Sequence, residues 1–234
     1  MYRDGLSFDA PQSRVDVKSA MNGVYGWMTF ALVLSGLCAW LVGTTPNLAK
    51  NLLTGGTFWI IAIAEIALVF IISGLINKLS AAMATALFMA YAALNGVTLG
   101  VIFLVYTASS IAVTFLVTAG TFFAMALVGT VTKLDLSKFG SFLFMALIGL
   151  IIASIVNIFW ANSTLYWICT YAGVLIFTGL TAYDVQKIRN LCMETDGEGF
   201  EVTRKIAILG ALTLYLDFVN LMLYLLRILG NRRN

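Results

Sequence analysis

Residues 206–226 read IAILGALTLYLDFVNLMLYLL, and this segment decides the fold. An α-helix needs about 20 mainly apolar residues to cross the hydrocarbon core of a bilayer, and the segment has that length. Its single charged residue is Asp217, which would lie roughly 16 Å from the start of such a helix, near the bilayer centre. The segment therefore predicts a transmembrane helix with a carboxyl group at its middle.

The rest of the chain has a similar composition. Hydrophobic residues make up 61% of the 234 residues and charged residues 11%, against roughly 25% charged residues in an average soluble domain. Further apolar runs of spanning length lie at residues 23–43, 57–76, 82–106, 108–131, 139–160 and 164–186. The third and fourth runs together are too long for one helix, so a tight turn is expected near Thr107. A soluble fold could not bury so much apolar surface, and we predict an all-α membrane protein with seven transmembrane helices.

The apolar runs form one domain, residues 23–229, between an N-terminal tail of residues 1–22 and a short C-terminal tail of residues 230–234. Residues 1–22 mix acidic and basic residues before any apolar run, unlike a signal peptide. Most lysines and arginines lie in the N-terminal tail and in the loops after the second, fourth and sixth runs. Because basic loops stay in the cytoplasm, we predict a cytoplasmic N-terminus and an external C-terminus. The lack of long tails favours a bacterial inner membrane.

The residue types argue against several classes of function. The chain has no histidine, and Cys38, Cys169 and Cys192 are far apart in sequence. A zinc site and a catalytic system built on histidine are therefore not expected. The net charge of +3 is spread over the loops, without a basic patch that would indicate nucleic-acid binding. We expect a protein that has no cofactor, is not an enzyme and has the lipid bilayer as its main partner.

Acidic residues lie in or near apolar runs at Glu65, Asp184 and Asp217. Carboxyl groups are costly in lipid, so they usually face a bundle interior or an aqueous cavity. Asp217 belongs to a polar stripe at helical spacing, formed by Gly210, Thr213, Asp217, Asn220, Tyr224 and Arg227. On the preceding run, one face carries Thr178, Thr181 and Asp184.

These polar positions also have a structural interpretation. Thr213 and Asn220 could simply hydrogen-bond neighbouring helices. Asp184 could be an interfacial carboxylate paired with Lys187 or Arg189. Straight helices with the predicted ends place Asp184 near the membrane boundary and Asp217 about 10 Å deeper, so a direct contact between them stays open at this stage.

Two motifs carry a family resemblance. Residues 179–188 read GLTAYDVQKI at the end of the sixth run, and residues 214–221 read LYLDFVNL in the seventh. Together with YGWM at residues 25–28, they resemble the Bax inhibitor-1 family, in particular its bacterial branch. The resemblance covers essentially the whole chain.

The resemblance implies a fold of two three-helix layers around a central C-terminal helix. It also implies a pH-sensitive leak of Ca²⁺, in which a hydrogen-bonded pair, Asp184 and Asp217, holds the pore closed and offers transient ligands to the ion. Some members carry an arginine cluster after the second helix, and here Lys78 is the only nearby candidate for a basic partner of Asp184. Glu65 matches an acidic position of the family. The residues expected to line or support the pore are Glu65, Thr181, Thr213, Asn220, Tyr224 and Arg227.

Asp184 and Asp217 suggest a physical hypothesis, a proton latch. Without histidine, a response near neutral pH has to come from carboxyl groups in an unusual environment. Two aspartates in a low-dielectric site cannot both ionise cheaply, so they tend to share one proton. Loss of that proton would separate the sixth and seventh helices by repulsion and expose oxygen ligands suited to Ca²⁺. The hypothesis predicts more flux as pH rises.

Three other functions remain open from the sequence. An intramembrane aspartyl protease also uses aspartates on neighbouring helices, but its GxGD motif is missing, because Leu214-Tyr215-Leu216 precedes Asp217. An interaction protein that modulates membrane proteases or stress and cell-death responses is a second alternative. A proton-coupled transporter, whose carboxyl groups carry protons in exchange for a solute, is a third.

Overall fold

A computed structural model describes residues 17–53, 55–195 and 199–233. The described residues form eight α-helices and no strand. The helices are α1 Val17–Thr44, α2 Pro46–Leu53, α3 Gly55–Leu75, α4 Ala81–Val105, α5 Ala108–Val131, α6 Ser137–Trp160, α7 Ser163–Glu194 and α8 Phe200–Leu229. All except the short α2 are long and apolar enough to cross a membrane, which gives 7 candidate spans. The predicted all-α architecture with seven transmembrane helices is confirmed.

Two helices extend well beyond the apolar runs that predicted them. Helix α7 continues past residue 186 to Glu194, and α8 begins at Phe200 rather than at residue 206. Residues 187–194 and 200–205 contain no glycine or proline, so nothing in them ends a helix, although they are too polar for the hydrocarbon core. The apolar runs therefore indicate which part of each helix lies in the membrane, and α7 and α8 continue beyond that part.

The ends of the first span also differ from the prediction. Residues 17–22 of the predicted N-terminal tail belong to α1, whereas residues 1–16 lie outside the described part of the chain. The segment between the first two predicted runs contains the short helix α2. Pro46 occupies the first position of α2, where its missing N–H and fixed φ suit a helix start.

The turn between α4 and α5 is as tight as predicted and consists of Tyr106 and Thr107 alone. The C-terminal residues are tied to this turn. The Thr107 N–H donates to the carbonyl oxygen of Asn231 at 3.0 Å, and the Arg233 N–H donates to the carbonyl oxygen of Val105 at 2.8 Å. The C-terminal segment therefore lies against the α4–α5 end of the helix bundle.

Helix α8 is the most buried of the spanning helices and packs against α1, α4, α5 and α7. Helices α1 and α3 pack against α4, while α5 and α6 pack against α7. The spans thus divide into a group of α1, α3 and α4 and a group of α5, α6 and α7, with α8 in contact with both. These contacts agree with a central C-terminal helix, and the arrangement of each group as a layer stays a prediction.

Close packing of α1 on α4 depends on two glycines of α4. A Cβ atom at Gly96 would lie 2.5 Å from the carbonyl oxygen of Ser35, and one at Gly100 would lie 2.8 Å from a methyl carbon of Val42. Both distances are too short for a real Cβ atom, so a larger residue would push the helices apart. The GxxxG spacing of the two glycines therefore sets the α1–α4 interface.

Candidate functional site

Asp184 of α7 and Asp217 of α8 face each other, with their carboxyl groups close enough for a hydrogen bond between them. Both residues are buried, with 9% and 4% of their surface exposed. An ionised carboxylate can only accept hydrogen bonds, so a bond between two carboxyl groups requires that one of them carry a proton. The Oδ2 atom of Asp217 has no hydrogen-bond partner among the described residues. Two buried carboxyl groups in this arrangement can hold one proton between α7 and α8.

The contact arises from the antiparallel register of α7 and α8. Gly210 packs against α7, because a Cβ atom there would lie 2.9 Å from the Cγ2 atom of Ile188. Further along α8, the ring of Tyr224 lies on Gly173, where a Cβ atom would be 2.6 Å from the ring. Asp217 lies midway between these two contacts, and Asp184 lies within about one helical turn of the corresponding midpoint on α7, so the register brings the two aspartates within reach of each other.

The aspartate pair lies in a cleft of about 720 Å³ between α6, α7 and α8. This volume is in the range of natural small-ligand pockets. Most of the wall is apolar, and the polar side chains that line it are Ser141, Tyr183, Asp184, Lys187, Thr213, Asp217, Asn220 and Tyr224. The cleft extends from the first turns of α6, beside Lys187, to the ring of Tyr224. It gives both carboxyl groups a polar neighbourhood inside an apolar helix bundle.

Tyr183 forms the wall of the cleft where α6 begins. Its ring lies so close to Gly140 that any Cβ atom there would overlap it. The ammonium group of Lys187 lies 5.7 Å from the centre of this ring, within the range of a cation–π contact. The side chain of Gln186 holds the α5–α6 loop through two hydrogen bonds. Its Nε2 atom donates to the carbonyl oxygen of Leu134 at 2.8 Å, and its Oε1 atom accepts from the N–H of Leu136 at 2.9 Å. Residues 183–187 thus build this end of the cleft around Asp184.

The basic residue that lies beside the aspartate pair is Lys187 and not Lys78. Lys187 lines the cleft, and its positive charge attracts the carboxylate of Asp184. Lys78 is exposed in the turn after α3 and does not line the cleft. The structure does not bring Lys78 to the pair, because α3 packs on α4 and not on α7. Lys187, one turn from Asp184 on α7, is therefore the basic residue that lies beside the pair.

Thr213, Asn220 and Tyr224, all expected near the pore, line the cleft together with Asp217. The Thr213 hydroxyl donates to a backbone carbonyl of α8 at 3.0 Å, and the Asn220 amide donates to another at 2.8 Å. These hydrogen bonds remain within one helix. The interpretation of Thr213 and Asn220 as links between helices therefore does not describe the bonds they make.

Thr181 and Arg227 do not line the cleft. Thr181 is fully buried, and its hydroxyl donates to the carbonyl oxygen of Phe177 at 2.8 Å. The guanidinium of Arg227 lies 4.9 Å from the centre of the Tyr224 ring and 5.5 Å from that of Tyr166. Arg227 therefore supports the ring that ends the cleft, and Thr181 belongs to the packed core of α7.

Glu65 lies in a second polar network and not in the cleft. It accepts hydrogen bonds from Nδ2 of Asn95 at 3.2 Å and from the hydroxyl of Thr98 at 2.9 Å. The Oδ1 atom of Asn95 accepts in turn from the Tyr215 hydroxyl at 2.8 Å, and that hydroxyl lies 2.6 Å from Oγ of Ser35. The network joins α3, α4, α8 and α1 on the side of α8 that faces away from the cleft.

Sequence reasoning did not identify Ser35, Asn95 or Tyr215 as parts of a site. Tyr215 shows the clearest sign of a role, because within residues 206–226 it is the one polar residue that lies outside the polar stripe of α8. Asn95 is the only amide side chain in the run 82–106, and a lone amide in a membrane helix usually hydrogen-bonds a neighbour. Neither pattern indicates which residue is the hydrogen-bond partner, because the partner depends on how the helices pack.

The cleft offers a divalent cation brief contacts rather than a resident site. The described residues contain no group of three or more His, Cys, Asp or Glu side chains that could hold a metal ion. Ca²⁺ takes about six to eight oxygen ligands, whereas this cleft offers two carboxyl groups with hydroxyl and amide groups nearby. This set is smaller than a complete Ca²⁺ coordination shell.

Comparison with known proteins agrees with the aspartate motifs. The chain matches a family model described as "Inhibitor of apoptosis-promoting Bax1" over residues 17–234. The inner membrane protein YbhL of Escherichia coli K12 is 52% identical over 223 residues, which cover 95% of each chain. A protein of Borreliella burgdorferi is 45% identical over 212 residues, or 90% of this chain and 91% of the relative. The family match includes every helix described above, and the chain belongs to the Bax inhibitor-1 family of membrane proteins.

Proposed function

We propose that this protein is a pH-sensitive Ca²⁺ leak channel of the bacterial inner membrane, gated by the proton that Asp184 and Asp217 share. The observation that carries the proposal is the close approach of these two buried carboxyl groups in the cleft. The pair lies between α7 and α8, the most buried span, so a change in the charge of the pair acts directly on helix packing. The choice of Ca²⁺ follows from what membership of the family implies.

The shared proton acts as the latch. While it is present, one carboxyl group donates to the other, the pair carries a single negative charge, and α7 and α8 stay together. When the proton leaves, two negative charges face each other in a poorly hydrated site, where repulsion is stronger than in water. The repulsion separates the helices and turns the carboxylate oxygens of Asp184 and Asp217 toward the cleft as ligands for Ca²⁺. Flux therefore increases as pH rises.

Lys187 sets how readily the latch opens. It is the only charged side chain besides the two aspartates among the described residues that line the cleft. Its positive charge attracts the Asp184 carboxylate and therefore favours the ionised form of the pair. The latch opens at a lower pH than it would without Lys187.

The ring of Tyr224 closes the far end of the cleft. It stacks on Phe177, with 5.8 Å between the ring centres, and lies against Gly173 of α7. The guanidinium of Arg227 packs on it 4.9 Å from the ring centre. An ion that passes through the cleft has to displace this ring, so separation of α7 from α8 and movement of Tyr224 belong to the same transition.

The proposal is tested by measuring Ca²⁺ flux into liposomes that hold the protein and contain a Ca²⁺ dye. The pH is equal on both sides of the membrane and is varied from about pH 6 to about pH 8. We expect wild-type flux to rise with pH. In Asp217→Asn the amide keeps donating to Asp184 at every pH, so flux stays low and loses its pH dependence. Asp184→Asn has the same effect, because either amide replaces the shared proton. Asp135→Asn, in an exposed loop, is the matched control and keeps the wild-type profile.

The other outcomes separate the remaining functions. An unchanged pH profile in both cleft variants would exclude the latch. No flux above that of empty liposomes at any pH would favour an interaction protein that modulates membrane proteases or stress responses. Saturable solute uptake driven by a proton gradient would favour a transporter, and peptide cleavage blocked by Asp217→Asn would favour a protease.

A further inference from the structure

A second cavity, of about 470 Å³, lies on the opposite side of α8 from the aspartate pair. It is bounded by α1, α4, α5 and α8, and among the described residues Ser35 is the only polar one that lines it. The Ser35 hydroxyl already has partners in the carbonyl oxygens of Ala31 and Ala92, at 2.9 and 2.7 Å. The cavity therefore has no polar group in need of a ligand, and its occupant has to be apolar.

The cavity exists because α4 and α5 diverge after a tight turn. α4 packs on α1 and α8, whereas α5 packs on α7 and α8, so the two helices belong to different groups of the bundle. The gap between them opens towards the surrounding lipid at Phe115 and Leu116, which line the cavity and are 43% and 69% exposed. An occupant can therefore enter sideways from the bilayer.

The length of the cavity matches one leaflet of a membrane. It begins at Ala108, the first residue of α5, and reaches Leu116, roughly 12 Å further along the helix. On α1 its lining runs from Ala39 to Leu32, roughly 10 Å along that helix. The hydrocarbon of one leaflet is about 15 Å thick. A single acyl chain that runs along the membrane normal fits this space.

Basic side chains lie at the end of the cavity where the helices leave the membrane. Arg232 and Arg233 are exposed on the C-terminal segment that binds the α4–α5 turn. One guanidinium nitrogen of Arg233 donates to the carbonyl oxygen of Phe103 at 3.0 Å, and Phe103 itself lines the cavity. The described segments that form this end, residues 103–111 and 227–233, contain no acidic residue. The mouth of the apolar cavity thus carries uncompensated positive charge from the chain.

We propose that this cavity binds one anionic phospholipid, with an acyl chain between α4 and α5 and the phosphate on Arg232 and Arg233. An arginine presents several N–H donors in a planar fork that matches phosphate oxygens, and Arg233 uses only one of them on Phe103. The acyl chain contacts Phe218 and Val219, which directly follow Asp217. The bound lipid therefore holds α8 in position from the face opposite the cleft.

Native mass spectrometry of the detergent-purified protein tests this site, with equal amounts of phosphatidylglycerol and phosphatidylethanolamine added. We expect one retained lipid per chain, with phosphatidylglycerol preferred. Gly36→Leu fills the cavity, because Gly36 lines it and a Cβ atom there meets nothing within 4 Å; this variant should lose the retained lipid. Gly26→Leu is the matched control, since Gly26 also has open space on α1 but does not line the cavity.

The headgroup contact is tested separately with Arg232→Gln combined with Arg233→Gln. This variant should still retain a lipid but should lose the preference for phosphatidylglycerol, because the acyl cavity is intact. Helix content by circular dichroism has to match the wild type in every variant. The proposal is overturned if no lipid is retained, if Gly36→Leu retains as much as Gly26→Leu, or if the arginine variant keeps the preference.

Discussion

The hydroxyl of Tyr215 donates a 2.8 Å hydrogen bond to Oδ1 of Asn95, and Tyr215 precedes Asp217 by two residues on α8. Because two residues turn a helix by more than half a revolution, the two side chains leave α8 on opposite sides. Asp217 faces the cleft with α7, while Tyr215 faces α4 and α1. Helix α8 thus carries two separate polar sites, and their roles can be tested apart.

Tyr215→Phe removes the hydroxyl that joins Asn95 to Ser35 and keeps the ring contacts with Phe88 and Tyr91. We expect a loss of stability of about 1 kcal/mol, since the buried acceptor of Asn95 loses its donor. Thermal unfolding in detergent should show a decrease in Tm of about 2–4 °C. The pH profile of Ca²⁺ flux should not change, because the hydroxyl lies away from the cleft.

The matched control is Tyr171→Phe, whose side chain is 55% exposed on α7. Its Tm should equal that of the wild type. Equal Tm values for the Tyr215 and Tyr171 variants would show that the Tyr215 hydroxyl does not support the fold.

Glu65→Gln tests whether the carboxylate of α3 holds that helix on α4. Glu65 accepts from both Asn95 and Thr98, and a neutral glutamine amide replaces these charge-assisted hydrogen bonds with weaker ones. α3 is one of the least buried spans and packs on α4. We expect faster hydrogen exchange along α3, measured by mass spectrometry.

The control for Glu65→Gln is Ser73→Ala, an exposed position on the same helix. It should leave hydrogen exchange of α3 unchanged. Unchanged exchange in Glu65→Gln as well would mean that apolar contacts alone hold α3 in place.

The spanning helices could be predicted from sequence because the thickness of the bilayer sets the length of each apolar run. About 20 apolar residues are needed whatever the neighbouring helices are, and each predicted run corresponds to a spanning helix. Segments outside the hydrocarbon are under no such constraint. For this reason the continuation of α7 to Glu194 and the short helix α2 were not visible in the apolar pattern.

The candidate site could be predicted only in part. The stripe that includes Thr213, Asp217 and Asn220 follows from helical spacing within one segment. The contact with Asp184 depends on the register between two helices, which close packing at Gly210 and elsewhere sets. Spacing within a helix contains no information on that register. For the same reason, the partners of Glu65 on another helix could not be predicted.

Lys187→Gln removes the positive charge that attracts the carboxylate of Asp184. Without this charge the ionised pair is less favourable, so the shared proton is held to higher pH. We expect the midpoint of the rise in Ca²⁺ flux to move upwards by about half to one pH unit, a modest shift because Lys187 is exposed. Lys133→Gln, exposed in the α5–α6 loop, should leave the midpoint unchanged. A midpoint that does not move in Lys187→Gln would remove Lys187 from the gating mechanism.

Asp135, in the loop before α6, should make the start of that helix sensitive to acid. Hydrogen bonds from the side chain and the backbone N–H of Ser137 lower the pKa of Asp135 below its ordinary value. Because the pKa is lower in the folded protein, the stabilisation is fully present above the ordinary pKa and is lost as pH falls through the lowered one. Hydrogen exchange at Ser137, corrected for its intrinsic rate, should increase on acidification below about pH 4. Asp135→Ala should show that increase already at neutral pH, and wild-type exchange in this variant would contradict the assignment.

Tyr224→Leu tests whether the ring at the end of the cleft is a barrier to ions. The smaller side chain loses the stacking on Phe177 and the contact with Arg227. We expect Ca²⁺ flux at about pH 6, where the latch is closed, to exceed that of the wild type, since part of the barrier is gone. The rise of flux with pH should remain, because the carboxyl pair is intact. Tyr224→Phe keeps the ring and should behave as the wild type, and thermal unfolding checks that both variants are folded. If folded Tyr224→Leu leaks no more than Tyr224→Phe at that pH, the ions follow a path that does not pass this ring.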